Sequence, residues 1–158
     1  MTFLSHALVG ASIGVALSNI TGVDSNLTVP LNIGLSLLPD INLIWRKISD
    51  HHNDITHYPF LWVVLATIVW YLEPATHIYS MSILLSGLFH LILDTFGMNV
   101  GVHWLAPFHS KEFSFTKIHP QPKQKSVKSK INQFHNSKHS YIELITILAS
   151  TFVIWALF

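Results

Sequence analysis

Long apolar stretches alternate with short polar segments along this chain. Five stretches of 15 to 19 residues carry at most one formal charge each: residues 3–20, 27–45, 58–72, 75–93 and 141–158. An α-helix rises about 1.5 Å per residue, so the longer stretches match the roughly 30 Å hydrocarbon core of a bilayer. The pattern therefore predicts an all-α, polytopic integral membrane protein with about five transmembrane helices.

The composition favours a membrane environment over water. Half of the 158 residues are hydrophobic and 11% are charged, against about 25% charged residues in ordinary soluble domains. Too few charges remain to solvate five such helices, which disfavours the alternative of a soluble helical bundle. The chain contains no cysteine, which excludes disulfides, thiolate zinc fingers and a cysteine nucleophile. The net charge of +1 argues against a nucleic-acid partner, and membrane lipids are the expected surroundings.

The basic residues all fall on one side of the membrane if each of the five stretches spans it. They are Arg46, Lys47, Lys111, Lys117, Lys123, Lys125, Lys128, Lys130 and Lys138. The positive-inside rule then places the N-terminus and the basic loop, about 111–140, in the cytoplasm. We expect a single membrane-embedded domain over residues 1–158, with the last transmembrane helix at 141–158 and its end outside.

Small and polar residues recur every fourth position in three of the stretches. The three stripes are His6, Gly10, Gly14 and Ser18; Asn32, Ser36 and Asp40; and Ser82, Ser86, His90 and Asp94. Residues four apart share one face of a helix, and polar faces of membrane helices turn towards the bundle interior. We therefore expect the three stripes to face one another, with Gly10 and Gly14 allowing close packing.

Metal-binding side chains collect at the cytoplasmic ends of these stripes. The loop between the second and third stretches adds His51, His52, Asp54 and His57. Imidazole and carboxylate ligands without thiolate suit zinc, manganese or iron. The candidates exceed the three protein ligands typical of a catalytic zinc, so either two ions bind or some residues orient the ligands. In the alternative interpretation, the histidines are hydrogen-bonded packing residues and Asp40 caps a helix that Pro39 breaks.

The ordered motifs resemble a known family. They are His6; Leu38-Pro39-Asp40; His52-x-x-x-Thr56-His57; His90-x-x-x-Asp94; Gly101; and Trp104-Leu-Ala-Pro107-Phe108. Over about residues 1–116 the chain resembles the YdjM-like family of bacterial inner-membrane proteins, which are regarded as metal-dependent hydrolases. The resemblance implies a multi-helix fold in the bacterial cytoplasmic membrane. It also implies one or two divalent ions, zinc foremost, with ligands at His6, Asp40, His52, His57, His90 and Asp94.

Thr56 and Asn42 are expected beside these ligands, and two positions, Asn42 and Asn53, depart from the family. Thr56 would support a ligand or cap the next helix. Asn42 stands where the family usually has a second aspartate. An amide is a weaker metal ligand than a carboxylate, so a single ion is favoured. Asn53 stands where the family usually has arginine, which removes a clamp for phosphate or carboxylate.

These observations favour a hydrolase at the cytoplasmic membrane face. Its substrate would be a phosphoester or a lipid-linked molecule, with His103 and His109 as candidate acid–base groups. One alternative is a non-enzymatic assembly factor whose metal is structural. Another is a metal or proton transporter, which requires polar groups across the membrane, yet the outer halves of the helices offer only Ser18, Asn32 and Ser82. The sequence does not predict an oligomeric state.

Overall fold

The computed structural model describes residues 2–44, 54–73, 77–96, 101–115 and 138–157. Within these ranges the chain forms five α-helices: α1 (Phe3–Thr21), α2 (Ser25–Leu37), α3 (Pro59–Leu72), α4 (Ile78–Thr95) and α5 (Lys138–Leu157). A 3₁₀ helix spans Leu38–Ile44, and a single 3₁₀ turn spans Ile55–His57. The predicted all-α class is confirmed for the described part of the chain.

Three of these helices are long and apolar enough to cross a membrane. They are α1, α4 and the segment Ser140–Leu157 of α5, whereas α3 is a shorter apolar helix of 14 residues. The second predicted stretch, 27–45, differs most from a continuous span. Its α-helix ends at Leu37 and tightens into the 3₁₀ helix. Pro39 has no N–H to donate and its ring crowds the preceding turn, which favours the end of the α-helix here, although α2 runs through Pro30.

Helices α1 and α4 form the centre of the bundle. Helix α1 packs against α2, α4 and α5, and α4 also packs against α2 and α3. Two glycines allow α1 and α2 to approach closely. A Cβ atom at Gly10 would lie 2.5 Å from the carbonyl oxygen of Asn32, and one at Gly14 would lie 2.6 Å from the Cα atom of Val29. The small-residue motif of the first stripe is therefore the contact surface with α2.

The distribution of polarity is the reverse of that in a soluble protein. Among the described residues, buried polar and charged side chains outnumber buried apolar ones, while many phenylalanine, leucine, isoleucine and tryptophan side chains are exposed. Helix α5 shows this most clearly, because Ile145, Leu148, Phe152 and Trp155 all face outwards. Such a surface suits hydrocarbon rather than water, and the polar interior locates the residues with a chemical role.

Candidate metal centre

Four side chains from three separate parts of the chain meet at one end of the bundle. Asp40 lies in the 3₁₀ helix after α2, and His57 ends the 3₁₀ turn that leads into α3. His90 and Asp94 lie one turn apart near the end of α4. The end of α2 before Pro39 and the start of α3 at Pro59 set where the first two side chains lie, and the fixed φ of proline suits the first turn of a helix such as α3.

The polar stripes of α2 and α4 pair along their length. Asn32 Nδ2 donates to Ser82 Oγ at 3.1 Å, and Ser86 Oγ donates to Asn32 Oδ1 at 2.8 Å. One turn further, His90 Nδ1 lies 2.6 Å from the backbone carbonyl oxygen of Ser36. The prediction that these two stripes face each other is confirmed. Buried amides and hydroxyls are thereby satisfied at membrane depth, where an unmet hydrogen bond is costly.

The contact with Ser36 fixes the proton on the His90 ring. A carbonyl oxygen only accepts hydrogen bonds, so Nδ1 must carry the hydrogen, and Nε2 of the neutral ring presents a lone pair. Nε2 is buried, makes no hydrogen bond to the described residues, and lies 3.0 Å from Asp94 Oδ2. Two electron-rich atoms at this separation repel each other unless a cation, either a proton or a metal ion, lies between them.

The four side chains surround one point. His57 Nε2 lies 3.6 Å from both Asp40 Oδ1 and Asp94 Oδ2, and His90 Nε2 lies 3.7 Å from Asp40 Oδ1. One donor atom from each of the four residues lies within 4.8 Å of all the others. Ligands about 2.0–2.1 Å from a tetrahedral zinc ion lie about 3.3 Å apart, close to the observed separations. The residues Asp40, His57, His90 and Asp94, called the four-residue cluster below, can therefore hold a metal ion.

His6 lies beside the four-residue cluster and contacts the other oxygen of Asp94. Its Nε2 is 3.2 Å from Asp94 Oδ1, and its ring stacks on that of His90 with a centroid separation of 4.0 Å and an angle of 21°. Asp94 therefore directs Oδ2 towards His57 and His90, and Oδ1 towards His6. This arrangement suits a histidine that orients a ligating carboxylate from outside the metal's immediate contacts.

Asn42 and Thr56 support His57. The amide Nδ2 of Asn42 donates to Thr56 Oγ1 at 3.3 Å, and the same hydroxyl oxygen lies 3.3 Å from His57 Nδ1. Trp62 Nε1 donates to the Thr56 carbonyl at 2.9 Å, which holds the 3₁₀ turn against α3. With its Nδ1 held in this way, His57 directs Nε2 towards the two aspartates. Such outer contacts are what fix the ring of a metal-bound histidine.

Opposite charges within the cluster shift the pKa values of His57 and Asp40, the two members that lie outside the membrane-spanning helices. Burial lowers the pKa of the His57 imidazole, but the carboxylates of Asp40 and Asp94 outweigh burial and hold its pKa above the ordinary value. Burial raises the pKa of Asp40, but the hydrogen bond from His57 and the charge of His90 outweigh it, and its pKa lies below the ordinary value. The site therefore stabilises positive charge among ionised carboxylates.

The other candidate residues lie elsewhere or outside the described ranges. His51, His52 and Asn53 belong to the part of the chain that the structure does not describe. His103 is buried in the 101–115 segment, with Nε2 3.8 Å from Glu112 Oε1. His109 is exposed, and its Nδ1 accepts a hydrogen bond from the backbone N–H of Lys111 at 3.0 Å. The acid–base roles of His103 and His109 stay predictions.

Sequence reasoning missed the role of Glu143. This buried carboxylate of α5 accepts hydrogen bonds from the hydroxyl groups of Thr2 and Ser5, and from the backbone N–H of Thr2 at 3.1 Å. It therefore ties α5 to the N-terminus of α1, next to His6, where a negative charge also suits the helix dipole. The available signal was that Glu143 is the sole charge in its apolar stretch, and such charges in membrane helices have partners.

Comparison with known proteins gives one match. The family model described as YdjM inner membrane protein matches residues 1–158, which extends the resemblance seen in the motifs of residues 1–116 over the whole chain. No curated protein and no solved structure matches the chain.

Proposed function

The chain belongs to the YdjM inner membrane protein family, and on this premise we propose that it is a membrane-bound, metal-dependent hydrolase. It acts at the cytoplasmic face of the bacterial inner membrane on a phosphoester or lipid-linked substrate. One observation carries the proposal: His90 Nε2 lies 3.0 Å from Asp94 Oδ2 inside a buried cluster of four metal-ligand side chains. A divalent cation satisfies both atoms.

The four-residue cluster would hold a single divalent ion, with zinc the best match to its two imidazoles and two carboxylates. A bound ion of this kind lowers the pKa of a coordinated water molecule and polarises a carbonyl or phosphoryl oxygen. The protein's own residues fix the donors: the Ser36 carbonyl orients His90, Thr56 orients His57, and His6 contacts the second oxygen of Asp94. This division between ligands and supporting residues is typical of metalloenzyme sites.

Asp40 is the member of the four-residue cluster that a substrate would approach, because its side chain has the largest exposed fraction. Its side chain is 9% exposed, whereas the side chains of His57 and His90 are fully buried and that of Asp94 is 3% exposed. A hydrolase needs one side of its metal open to water and substrate, while a purely structural site is closed by protein ligands. Because four protein ligands would close a tetrahedral site, hydrolysis would require the ion to take water as a fifth ligand or in place of Asp40, the most exposed member of the cluster.

The orientation follows from the distribution of lysine and arginine. Asp40, His57 and Asp94 lie at the helix ends that adjoin segments containing Arg46, Lys47 and Lys111. Under the positive-inside rule this end faces the cytoplasm, so the substrate would be reached from the cytoplasmic leaflet or from the cytoplasm itself.

Metal analysis combined with activity assays tests the proposal. We expect the detergent-purified protein to contain about one equivalent of zinc, manganese or iron, and the His90→Ala and Asp94→Ala variants to lose it while remaining helical. His109→Ala, which removes an exposed histidine outside the cluster, should retain the metal. The wild type should then hydrolyse phosphodiester or phospholipid substrates, and the two metal-free variants should not.

Each contrary result has a distinct meaning. A wild type that binds no metal even after incubation with these ions would make the cluster a polar packing network and remove the basis for a hydrolase. A protein that binds metal, unfolds when the metal is removed and hydrolyses none of the substrates would instead be the assembly factor with a structural metal.

A further inference from the structure

An apolar groove on the outer surface of the bundle adjoins the four-residue cluster at Asp40. Its volume is about 460 Å³, within the range of small-molecule sites. Its walls come from Phe3 of α1, Gly34 and Leu37 of α2, and Leu38, Asp40 and Ile41 of the 3₁₀ helix. The groove exists because α2 stops at Leu37 and the chain turns into the tighter helix, which leaves a recess beside the start of α1.

Asp40 belongs to both the groove and the four-residue cluster. It is also the most exposed of the four side chains in the cluster, as described above. A molecule lying in the groove with one end at Asp40 would therefore place that end next to the metal-binding donors. Asp40 is thus the residue at which the groove and the cluster adjoin.

The lining selects the chemistry of the occupant. Apart from Asp40, every side chain named above as lining the groove is apolar, so a sugar or nucleotide placed there would lose hydrogen bonds to water without replacement. A helix of about 10 Å diameter fills roughly 420 Å³ per turn, so the groove volume corresponds to about a single turn of a partner helix. A flexible hydrocarbon chain matches both the lining and the size.

We propose that this groove binds the acyl chain of a lipid whose polar head lies at Asp40. The occupant is an amphiphile from the cytoplasmic leaflet, with its ester or phosphoester group next to the end of the chain. The assignment of that head group as the hydrolysed group rests on the proposed function. Binding of the chain in the groove does not, because it depends on apolar walls and shape alone.

Gly34 provides a clean way to fill the groove. A Cβ atom at this position meets no atom within 4 Å, so a larger side chain enters the recess without displacing protein atoms. Gly34→Leu should therefore fold normally and block the groove. Ala149→Leu is the matched control, because it adds apolar bulk at an exposed position of α5, away from the groove.

The experiment uses a phosphatidylglycerol with a photoactivatable group on its acyl chain, reconstituted with the full protein in nanodiscs. After illumination, mass spectrometry locates the cross-linked residues. We expect the wild type and Ala149→Leu to concentrate cross-links at Phe3 and in residues 34–41. Gly34→Leu should reduce these to the level found on the exposed face of α5, while its metal content stays unchanged.

A second variant separates this proposal from the metal-dependent function. Asp40→Asn should lose the metal and keep the cross-links in the groove, since the apolar walls are intact; helical circular dichroism shows that it is folded. A wild type that contains no metal but shows cross-links concentrated in the groove would support lipid binding there and contradict the proposed hydrolase function. Cross-links that are spread evenly over the apolar surface, or that Gly34→Leu does not reduce, would overturn the proposal that the groove binds an acyl chain. Cross-linking of the groove to a second protein chain would overturn it in favour of a helix-docking surface.

Discussion

The backbone carbonyl of Ser36 determines which ring nitrogen of His90 faces the four-residue cluster. Because His90 Nδ1 donates to the Ser36 oxygen, Nε2 is directed at the carboxylates. The sequence indicated that His90 and Asp94 share a helix face, since they are four residues apart. It could not indicate which ring nitrogen faces the cluster, because this depends on how α2 lies against α4. His6 stacking on His90 has the same origin in tertiary packing.

Thr56 offers a test of the contacts behind the ligands. Its hydroxyl lies 3.3 Å from His57 Nδ1 and touches no other member of the four-residue cluster in the contacts described above. We expect Thr56→Ala to weaken zinc binding about 10- to 100-fold, because His57 loses the contact that orients its ring. Thr56→Ser should restore most of the affinity. Competition with a chromophoric chelator measures both.

The control for this substitution is Thr67→Ala, which removes an exposed threonine hydroxyl from α3 that bonds to the Val63 carbonyl. Its zinc affinity should equal that of the wild type. Equal affinities for Thr56→Ala and Thr67→Ala would show that Thr56 does not orient a ligand.

The elevated pKa of His57 predicts that protons compete with the metal. In the metal-free site the carboxylates of Asp40 and Asp94 favour the protonated imidazole, so an arriving ion must displace a proton. Zinc affinity should therefore fall as the pH is lowered through the pKa of His57, and binding at neutral pH should release protons. Isothermal titration calorimetry in buffers with different ionisation enthalpies counts them. An affinity that does not change between pH 8 and pH 6 would contradict this account.

At the scale of elements, hydropathy alone did not predict that the α-helix in the second apolar stretch ends at Leu37. Residues 27–45 carry no formal charge apart from Asp40, and they predict a continuous span. Hydropathy measures only how apolar the side chains are, so it does not report that Pro39 lacks a backbone N–H. The end of the α-helix at this position could be predicted only from the proline itself. The alternative in which Pro39 breaks the helix describes this segment better, and the break brings Asp40 into the four-residue cluster.

Replacing Pro39 should therefore disturb the site through the backbone. In Pro39→Ala, the α-helix can extend past Leu37, which rotates Asp40 away from His57 and His90. We expect at least a tenfold loss of zinc affinity, comparable to the removal of a supporting contact, with little loss of helical circular dichroism. Pro30→Ala is the matched control: Pro30 lies inside α2, and its removal restores a helical hydrogen bond far from the cluster. Zinc affinity equal to wild type in Pro39→Ala would show that the proline does not position Asp40.

The contact between α1 and α2 depends on Gly14. A Cβ at this position would lie 2.6 Å from a backbone atom of α2, which cannot move aside as a side chain can. Gly14→Ala should therefore destabilise the protein by about 1–3 kcal/mol, despite the higher helix propensity of alanine. Gly34→Ala has open space around the new methyl group and should be neutral or slightly stabilising. Thermal unfolding in detergent compares the two, and equal melting temperatures would argue against close packing at Gly14.

For the whole molecule, the sequence predicted the class of fold but not the contact between the first and last helices. The apolar stretches and polar stripes anticipated an outward-facing apolar surface and a polar interior. They did not indicate that Glu143 of α5 binds the start of α1, because 138 residues separate Glu143 from Ser5 and no local pattern links them. Contacts between elements far apart in sequence arise only from the assembled bundle.

The orientation of the whole bundle gives the last prediction. The absence of cysteine means that a single introduced thiol reports one position without background. In Ser110→Cys the thiol lies in the exposed part of the 101–115 segment, and in Asn26→Cys it lies at the exposed start of α2. A membrane-impermeant maleimide should label Asn26→Cys in intact spheroplasts, and Ser110→Cys only after the inner membrane is permeabilised. Because Asp40 and Asp94 lie at the helix ends opposite Asn26, this result would give the cluster access to cytoplasmic substrates. The reverse labelling would place it on the periplasmic face and redirect the search for a substrate there.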